Sequence, residues 1–379
     1  MVIRNMSALR PVYVVGAGWH RYQNPSDTHY VDMGLAAVRG ALRDAGIEWG
    51  AVDQSFIATA MLGMAAGRPL LKHLGAGGQP LVHIENASAS GSAAVQLASH
   101  YVGAGLLDVA LVLGVDKRPA GGAARRAPAY VEAPAEPAIS PVTHFALLAS
   151  QYIAQHGVSD EDLALIAVKN HRNGSLNPNA QRQKERSLEE VMSRPISGAM
   201  TALQCTPIGE GAAAVIIASE DGIKRFGIAS DRPVRIAASA ATSERCGGSD
   251  YEIINEVVRA ALQDAKLAPG DVDLFETHDA FSIEEAYYAE AAGLCAPGRY
   301  VSMVKEGCFD IGGQCAVSAS GGLIAMGHPV GPTGVGQIGE LALQLRGEAG
   351  ARQHAGARTG VASLVGLGAV GYAHVLKRE

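Results

Sequence analysis

The sequence is poor in aromatic side chains, in cysteine pairs and in clustered positive charge. Phenylalanine, tryptophan and tyrosine make up only 5% of the 379 residues, whereas hydrophobic residues make up 48% and glycine occurs 46 times. Small aliphatic side chains must therefore fill the interior, as is typical where helices pack closely on sheets. This composition excludes a disordered chain and predicts a soluble α/β protein with a large core.

Clustered basic charge is also lacking. The formal net charge is -6, and no long run of lysine or arginine occurs. A protein that follows a nucleic acid backbone needs a concentrated basic face, so we exclude DNA and RNA as partners. A local group of basic residues could hold a small phosphorylated ligand, although a solvated loop is the commoner explanation; the group comprises Lys117, Arg118, Arg125 and Arg126.

The cysteines form no CxxC pair; they are Cys205, Cys246, Cys295, Cys308 and Cys315. An odd, scattered set argues against a disulfide framework or a zinc site and fits a reducing compartment. The first residues lack the apolar core of a signal peptide, and no apolar run is long enough to span a membrane. The last residues are not a peroxisomal address. We therefore expect a cytoplasmic protein with no metal and no membrane span.

The chain carries a weak internal repeat. Residues 37–53 read AVRGALRDAGIEWGAVD and residues 257–273 read VVRAALQDAKLAPGDVD, with nine identities in seventeen ungapped positions. Each copy has apolar residues at helical spacing, then a turn and a strand-like run. The run SASG at 88–91 returns at 318–321. Two helix–turn–strand units predict a duplicated α/β fold, and chance similarity between two amphipathic helices is the alternative.

The repeat divides the chain. We expect an N-terminal half at residues 1–235, a C-terminal half at residues 236–379, and an insertion at about residues 117–200. The insertion is rich in proline and alanine at first, and its pattern then predicts a helix at Phe145–Gln155 and a loop at residues 171–183. Such insertions commonly serve as a lid or a ligand-binding lobe.

A candidate nucleophile lies in the segment LVHIENASASGSAAVQLASHYVGAG. The segment has a short apolar strand, a turn of small polar residues and a helix. Free N–H groups and positive potential at the start of that helix would favour ionisation of a nucleophile at Ser88 and stabilise an oxyanion beside it. The alternative is that Asn86, Ser88 or Ser90 simply caps the helix.

Two histidines occur in settings that suit catalysis. His278 precedes Asp279 at the end of an apolar strand, where an imidazole can donate to a carbonyl or hold a water; a satisfied loop histidine is the alternative. His328 lies among six glycines between Gly321 and Gly336 and is followed by proline. Such a rigid loop suits a general base that must keep one orientation, and an incidental histidine in a glycine-rich turn is the alternative.

Four motifs occur in the order typical of the thiolase superfamily. NASASGSAA resembles the nucleophile motif Asn-x-Cys-x-Ser-Gly, THDAF resembles His-Asp-x-Phe, SGGLIAMGHPVGPTG resembles the Gly-His-Pro motif, and LVGLG resembles the C-terminal Cys-x-Gly-x-Gly loop. The sequence is most similar to the sterol-carrier-protein-2 type and its bacterial and archaeal relatives. This resemblance implies the duplicated five-layer αβαβα thiolase fold with an inserted loop domain. It also implies an acyl-CoA C-acyltransferase that makes or cleaves the carbon–carbon bond of a 3-ketoacyl-CoA.

The resemblance assigns roles position by position. Ser88 stands at the nucleophile and His328 at its base, while His278 and a bound water would line the oxyanion hole for the thioester enolate. The backbone N–H groups of Ser88 and Gly366 would line the hole for the tetrahedral intermediate. The resemblance also implies coenzyme A as substrate or product, a homodimer or dimer of dimers, and a small zinc-ribbon/OB-fold partner protein that helps to hold CoA.

The sequence departs from the family wherever a thiol acts in relatives. Serine replaces the nucleophilic cysteine at position 88, Leu364 replaces the acid/base cysteine, and Ala280 stands where some relatives carry a further cysteine. An engineered Cys→Ser change, slow acyl transfer to a natural serine, and retro-aldol cleavage of a 3-hydroxyacyl-CoA without an acyl-enzyme all remain open. A non-catalytic role in binding acyl-CoA or lipid is the last alternative. The intact His-Asp-x-Phe and Gly-His-Pro motifs favour acyl transfer.

Overall fold

The fold consists of strands and helices that alternate along most of the chain. A computed structural model describes residues 6–75, 77–118, 140–229, 232–245, 249–367 and 370–378. The strands are β1 (Val12–Gln23), β2 (Gln54–Ala58), β3 (Leu81–Ile84), β4 (Val109–Asp116), β5 (Pro195–Ser197), β6 (Met200–Thr201), β7 (Glu210–Ser219), β8 (Val234–Ser243), β9 (Leu274–Glu276), β10 (Ala316–Val317), β11 (Thr359–Gly366) and β12 (Val370–Lys377). The α-helices are α1 (Tyr30–Ala45), α2 (Gly67–Leu74), α3 (Ser90–Gly103), α4 (Pro141–His156), α5 (Asp160–Ser175), α6 (Leu188–Met192), α7 (Glu220–Phe226), α8 (Asp250–Asp264), α9 (Ser282–Ala291), α10 (Tyr300–Lys305), α11 (Gly322–Ala325) and α12 (Pro332–Arg346).

The main sheet repeats one pattern of strand directions. Its order is β10-β9-β11-β12-β8-β1-β7-β4-β2-β3. In one group of five, β2 pairs parallel with β3 and β4, and β7 pairs antiparallel with β4 and β1. In the other group, β9 pairs parallel with β10 and β11, and β12 pairs antiparallel with β11 and β8. The two groups join where β1 pairs with β8 over a short stretch at Tyr13 and Val14.

Helices cover both groups and fill the space between them. Helix α1 packs on β1 and β7, whereas α8 packs on β12 and β8. Helices α3 and α12 pack on each other and contact strands of both groups. The order of layers is therefore αβαβα, and the predicted fold class is confirmed. The limits expected for the two halves, residues 1–235 and 236–379, stay a prediction.

The insertion differs from its prediction at one point. Helix α4 covers the helix expected at Phe145–Gln155, but α5 continues to Ser175 into the stretch that we expected to be a loop. Asparagine disfavours helix interiors because its side chain competes for backbone hydrogen bonds. Here a tertiary contact removes that competition, because Asn173 Nδ2 donates to the carbonyl oxygen of Ser318 at 3.1 Å. The loop prediction was therefore wrong for residues 171–175.

The basic residues that the sequence offered as a phosphate site are described only in part. Lys117 lies 3.3 Å from the buried Glu210 and donates to the carbonyl oxygen of Ser26 at 2.6 Å, which makes it a structural cation. Arg118 is described, whereas Arg125 and Arg126 lie outside the described residues. In the described parts of the chain, no helix has the length and apolar character needed to cross a membrane.

A buried ion pair joins α5 to α9. Lys169 is 2% exposed, and its Nζ lies 3.0 Å from Glu285 Oε1. The ammonium also donates to Asn170 Oδ1 at 2.6 Å and to the carbonyl oxygen of Val317 at 2.7 Å. The Tyr300 hydroxyl donates to the same Glu285 oxygen at 2.6 Å. Each charge has lost its water and depends on the other.

Replacing Lys169 tests this dependence. We expect Lys169→Met to lower the free energy of unfolding by about 3–5 kcal/mol, because Glu285 would be left buried without its counter-charge. The control is Lys305→Met, because Lys305 pairs with Asp162 at 2.8 Å where the two side chains are 50% and 28% exposed. That change should cost less than about 1 kcal/mol. Urea unfolding followed by circular dichroism gives both values, and equal losses would contradict the expectation.

Candidate active site

Ser88 lies in a strained turn between β3 and α3. Ala87 has a left-handed backbone with φ of 48°, which is costly for a residue with a Cβ. The Ser90 hydroxyl braces the turn, since it donates to the carbonyl oxygen of Ala87 at 2.6 Å and accepts from the N–H of Asn86 at 2.8 Å. Helix α3 has no side-chain cap at its start. The hydroxyl of Ser88 therefore serves something other than helix capping.

The partner of Ser88 is His328. Ser88 Oγ lies 3.1 Å from His328 Nε2, and His328 Nδ1 lies 2.7 Å from the hydroxyl oxygen of Thr333. The Thr333 hydroxyl donates its proton to the carbonyl oxygen of Pro329 at 2.8 Å. Thr333 must therefore accept from Nδ1–H, and these partners assign the proton of the neutral ring to Nδ1. The Nε2 lone pair is left to accept the proton of Ser88.

The surroundings keep His328 neutral. Burial lowers the pKa of His328 well below its ordinary value, and electrostatic interactions with the nearby His278 and Arg118 lower it further. A lowered pKa keeps the imidazole unprotonated at neutral pH. The ring is thus present as a base, although a weaker one than free imidazole.

His278 stands beside His328 with one nitrogen free for a ligand. The two rings meet edge to face, with centroids 5.0 Å apart and an interplanar angle of 84°. His278 Nδ1 lies 3.0 Å from Glu284 Oε1, while the N–H of Phe281 donates to Glu284 Oε2 at 3.0 Å. Among the described residues, His278 Nε2 is buried without a hydrogen-bond partner. A neutral ring that donates from Nδ1 presents Nε2 as an acceptor, which suits a bound water.

Glycines bring Ser88 and His328 together by letting α3 and α12 touch through their backbones. A Cβ on Gly91 would lie 2.8 Å from the carbonyl oxygen of Gly331, and a Cβ on Gly334 would lie 2.4 Å from the backbone nitrogen of Ser92. Real Cβ atoms do not approach so closely, so glycine is required on both helices. Ser88 precedes α3 and His328 precedes α12, and the helix contact therefore sets their separation.

A buried carboxylate fixes the loop after His328. Asp116 at the end of β4 is 1% exposed and accepts from the N–H of Gly331 at 2.6 Å. It also accepts from the hydroxyl of Thr59 at 2.6 Å and from the N–H of Met61 at 2.8 Å. Burial raises the pKa of Asp116, and these hydrogen bonds oppose the rise. The carboxylate ties the His328 loop to the chain that follows β2.

Asp279, the residue after His278, fixes the start of the same loop. Its Oδ1 accepts from the N–H of Leu323 and its Oδ2 from Asn170 Nδ2, both at 2.8 Å. Burial, followed by the charge of Glu285, raises the pKa of Asp279 well above its ordinary value. Asn170 donates to Glu285 as well, at 2.7 Å, so one carboxamide separates two buried carboxyl groups.

The structure also gives the places of the other positions that the motifs single out. Gly366 ends β11 against the Ser88 turn, since a Cβ there would lie 2.9 Å from the Ala89 Cβ. Leu364 is completely buried on β11, and Ala280 is 6% exposed beside His278 in the sequence. Leu364 belongs to an apolar core cluster, so position 364 supplies no thiol to the site.

Sequence reasoning missed the residues that orient the histidines. Thr333 and Glu284 were not singled out, although Thr333 lies within the quoted Gly-His-Pro segment and Glu284 lies three residues after the THDAF segment. Asp116 was missed because nothing in the sequence near it points to Gly331. The signal available for Thr333 was its position five residues after His328 in the glycine-rich loop. Across the described residues, no group of three or more His, Cys, Asp or Glu side chains could hold a metal ion.

Comparisons with known proteins cover nearly the whole chain. The family model for the thiolase N-terminal domain matches residues 12–187, and the model for the thiolase C-terminal domain-like family matches residues 241–378. Sterol carrier protein 2 of Oryctolagus cuniculus is 34% identical over 96% of this chain and 71% of that protein. The benzoylsuccinyl-CoA thiolase subunit BbsB of Thauera aromatica is 34% identical over 90% of this chain and 91% of that protein. The acetyl-CoA acetyltransferase of Methanothermobacter thermautotrophicus is 32% identical over 98% of this chain and its whole length.

Solved structures share the same fold. The aldolase described as Ltp2-ChsH2(DUF35) superposes with a TM-score of 0.85 at 20% identity, over 98% of each chain. Human mitochondrial 3-ketoacyl-CoA thiolase in complex with CoA superposes with a TM-score of 0.73 at 20% identity, again over 98% of each chain. The family matches at both ends, the relatives above 30% identity and the shared fold together show that this chain belongs to the thiolase family.

Proposed function

We propose that the chain is an acyl-CoA C-acyltransferase of the thiolase type in which Ser88 carries the acyl group and His328 moves the protons. The observation that carries the proposal is the 3.1 Å contact between Ser88 Oγ and His328 Nε2, with Nδ1 held by Thr333. A hydroxyl and a base in such contact form the minimal unit of nucleophilic catalysis, and the third group keeps the base in one tautomer. The names of two relatives, a thiolase subunit and an acetyl-CoA acetyltransferase, support the substrate class.

The proposed cleavage begins at the keto carbon of a 3-ketoacyl-CoA. Ser88 Oγ attacks that carbon while its proton passes to His328 Nε2. The tetrahedral intermediate collapses, the bond between the keto carbon and C2 breaks, and its electron pair forms the enolate of the shorter acyl-CoA. His328 returns the proton to C2, and the acyl group remains as an ester on Ser88. The thiol of CoA then attacks this ester, and its proton passes through His328 to Ser88 Oγ.

Two groups would stabilise the charges that develop. A water held by His278 Nε2 would direct its other O–H at the enolate oxygen, and the backbone N–H groups of Ser88 and Gly366 would face the tetrahedral oxyanion. Support comes from the buried, unpartnered Nε2 of His278 and from the contact of Gly366 with the Ser88 turn. Coenzyme A is the substrate of the second half-reaction, and the proposed cytoplasmic location would supply it.

Serine in place of cysteine should make the second half-reaction slow. A serine ester is a poorer acyl donor than a thioester, and a hydroxyl is a poorer nucleophile than a thiol near neutral pH. We expect incubation with a 3-ketoacyl-CoA to leave an acyl adduct on the Ser88 peptide, detected by intact mass and peptide mapping. Ser88→Ala should form no adduct, and Ser88→Cys should raise the rate of thiolysis at least about 100-fold.

The outcomes separate the alternatives. An adduct on wild type that is absent from Ser88→Ala supports acyl transfer. Absence of an adduct together with cleavage of a 3-hydroxyacyl-CoA would replace the proposal with the second candidate, a retro-aldolase. That candidate is favoured by the lack of a thiol at Ser88, Leu364 and Ala280. Tight binding of acyl-CoA without any turnover would leave a binding protein.

The lowered pKa of His328 predicts the pH dependence of turnover. The imidazole must be neutral to accept the proton of Ser88, and its pKa in the folded protein lies well below the ordinary value. Activity from this group is therefore fully present near neutral pH and is lost only as pH falls through the lowered pKa. We expect the acid limb of kcat/KM against pH to have its midpoint below about 6.5.

His328→Ala should abolish turnover, and near-normal turnover in that variant would refute the role of His328 as the base.

We also propose a dimer and a second protein. Strand β3 ends the strand order, so within the described residues one edge of β3 is unpaired, and Val82 on it is 41% exposed. An open strand edge with an exposed apolar side chain favours pairing with another chain, here a second copy. One solved relative is described together with a DUF35 protein. By analogy, a small zinc-ribbon/OB-fold protein would complete the CoA site of this chain.

Purification of the chain alone tests the partner. We expect light scattering to give the mass of a dimer or a dimer of dimers, while calorimetry with CoA gives weak binding. Full turnover and tight CoA binding by the lone chain would contradict the need for a partner. A monomer at micromolar concentration would contradict the proposed pairing of β3.

A further inference from the structure

One face of α12 reaches both candidate catalytic histidines. Thr333 and Gln337 are four residues apart and therefore lie above one another on the helix. Thr333 accepts from His328 Nδ1 at 2.7 Å, as described above. Gln337 Nε2 donates to the carbonyl oxygen of Thr277, the residue before His278, at 2.6 Å. That carbonyl belongs to the peptide plane from which His278 extends, so the bond fixes the direction of the His278 backbone.

The surroundings of Gln337 set the orientation of its carboxamide. Its side chain is 5% exposed, and its Oε1 is buried without a hydrogen-bond partner among the described residues. Gln337 lines a cavity of about 20 Å³, together with Glu276, Ser320, Glu340 and Tyr22. This volume suits one water molecule, which could donate to Oε1 and to a carboxylate. A reversed carboxamide would instead place oxygen against the carbonyl oxygen of Thr277.

We infer that Gln337 is a positioning residue, which holds His278 at its working distance from His328 by pairing its carboxamide N–H with the carbonyl oxygen of Thr277. The inference rests on the proposed function, because it gives the two rings a shared task. Among the described residues, Gln337 donates to the carbonyl oxygen of Thr277 and makes no hydrogen bond to either ring, so its effect passes through the backbone of Thr277. Its loss should therefore lower the rate of the chemical step and leave the binding of acyl-CoA unchanged.

Gln337→Met tests the inference, because it keeps the length of the side chain and removes the donor. We expect kcat to fall about 10- to 100-fold while KM stays within about 2-fold, since a small misplacement of a reacting group has an effect of this size. The matched control is Gln344→Met on the same helix. Gln344 is 1% exposed and bonds to Glu340 and to the carbonyl oxygen of Arg352, far along α12 from the histidines. It should lose stability and keep kcat.

Gln337→Glu adds a pH signature that a purely structural role would not give. Its carboxylate would face the carbonyl oxygen of Thr277. The titratable groups on the cavity wall are Glu276, Glu340, which is paired with Arg352, and Tyr22. Burial and the charge of Glu340 raise the pKa of Glu276 to about 7, so a new carboxyl group there should also hold its proton at raised pH. Protonated, it donates an O–H to Thr277 as the carboxamide does. The kcat of this variant, relative to wild type, should therefore rise as pH falls from about 8 to about 6.

Imidazole nitrogen shifts keep this test independent of the proposed function. The ¹⁵N resonances of His278 should move in Gln337→Met and stay in place in Gln344→Met, whether or not the protein turns over acyl-CoA. Unchanged His278 resonances in Gln337→Met would overturn the inference, and so would an equal loss of kcat in both variants. A wild type that forms no acyl adduct and cleaves no acyl-CoA would refute the proposed function alone.

Discussion

The contact between the backbones of α3 and α12 is the constraint on which the site depends. Gly91 and Gly334 leave no room for a Cβ between the two helices. The helices come from different five-strand groups, and α3 begins two residues after Ser88 while α12 begins four residues after His328. The packing of the two similar layers brings these helices together, and their close approach places Ser88 Oγ 3.1 Å from His328 Nε2. A larger side chain at this contact would separate the reactive pair before it affected the sheet.

The loops around that contact are held by buried carboxyl groups. Asp116 fixes Gly331 and Asp279 fixes Leu323, and neither carboxyl group has a hydrogen bond from a cation among the described residues. Backbone N–H groups satisfy them instead, together with the Thr59 hydroxyl at Asp116 and the Asn170 carboxamide at Asp279. The arrangement explains how a glycine-rich loop can hold an imidazole in one orientation. Glycine provides the close approach, while the buried carboxylates remove the freedom that glycine would otherwise retain.

The sequence predicts the fold far better than it predicts the details of the site. The repeat at residues 37–53 and 257–273, together with the motif order, was enough to predict two related layers and the positions of Ser88 and His328. The hydrogen-bond partners of the histidines could not be predicted. The Thr333 hydroxyl, for example, is oriented by a backbone carbonyl whose direction is set by the turn itself. The extension of α5 to Ser175 depends on Ser318, more than 140 residues away. Such contacts leave no periodic signal in a single sequence.

Because positions 88, 280 and 364 carry no thiol, the proposed chemistry depends on one imidazole. Leu364 and Ala280 present no proton donor, so under the proposed function His328 both takes the proton of Ser88 and returns it to the enolate carbon. These tasks make opposite demands on its pKa. A lowered pKa weakens the base that must activate Ser88, whereas the imidazolium it forms is a stronger acid toward C2. Under the proposed function, the lowered pKa therefore favours the return of the proton to C2 over the removal of the proton from Ser88. A thiol at position 88 ionises more readily, so it would depend less on a strong base for its activation.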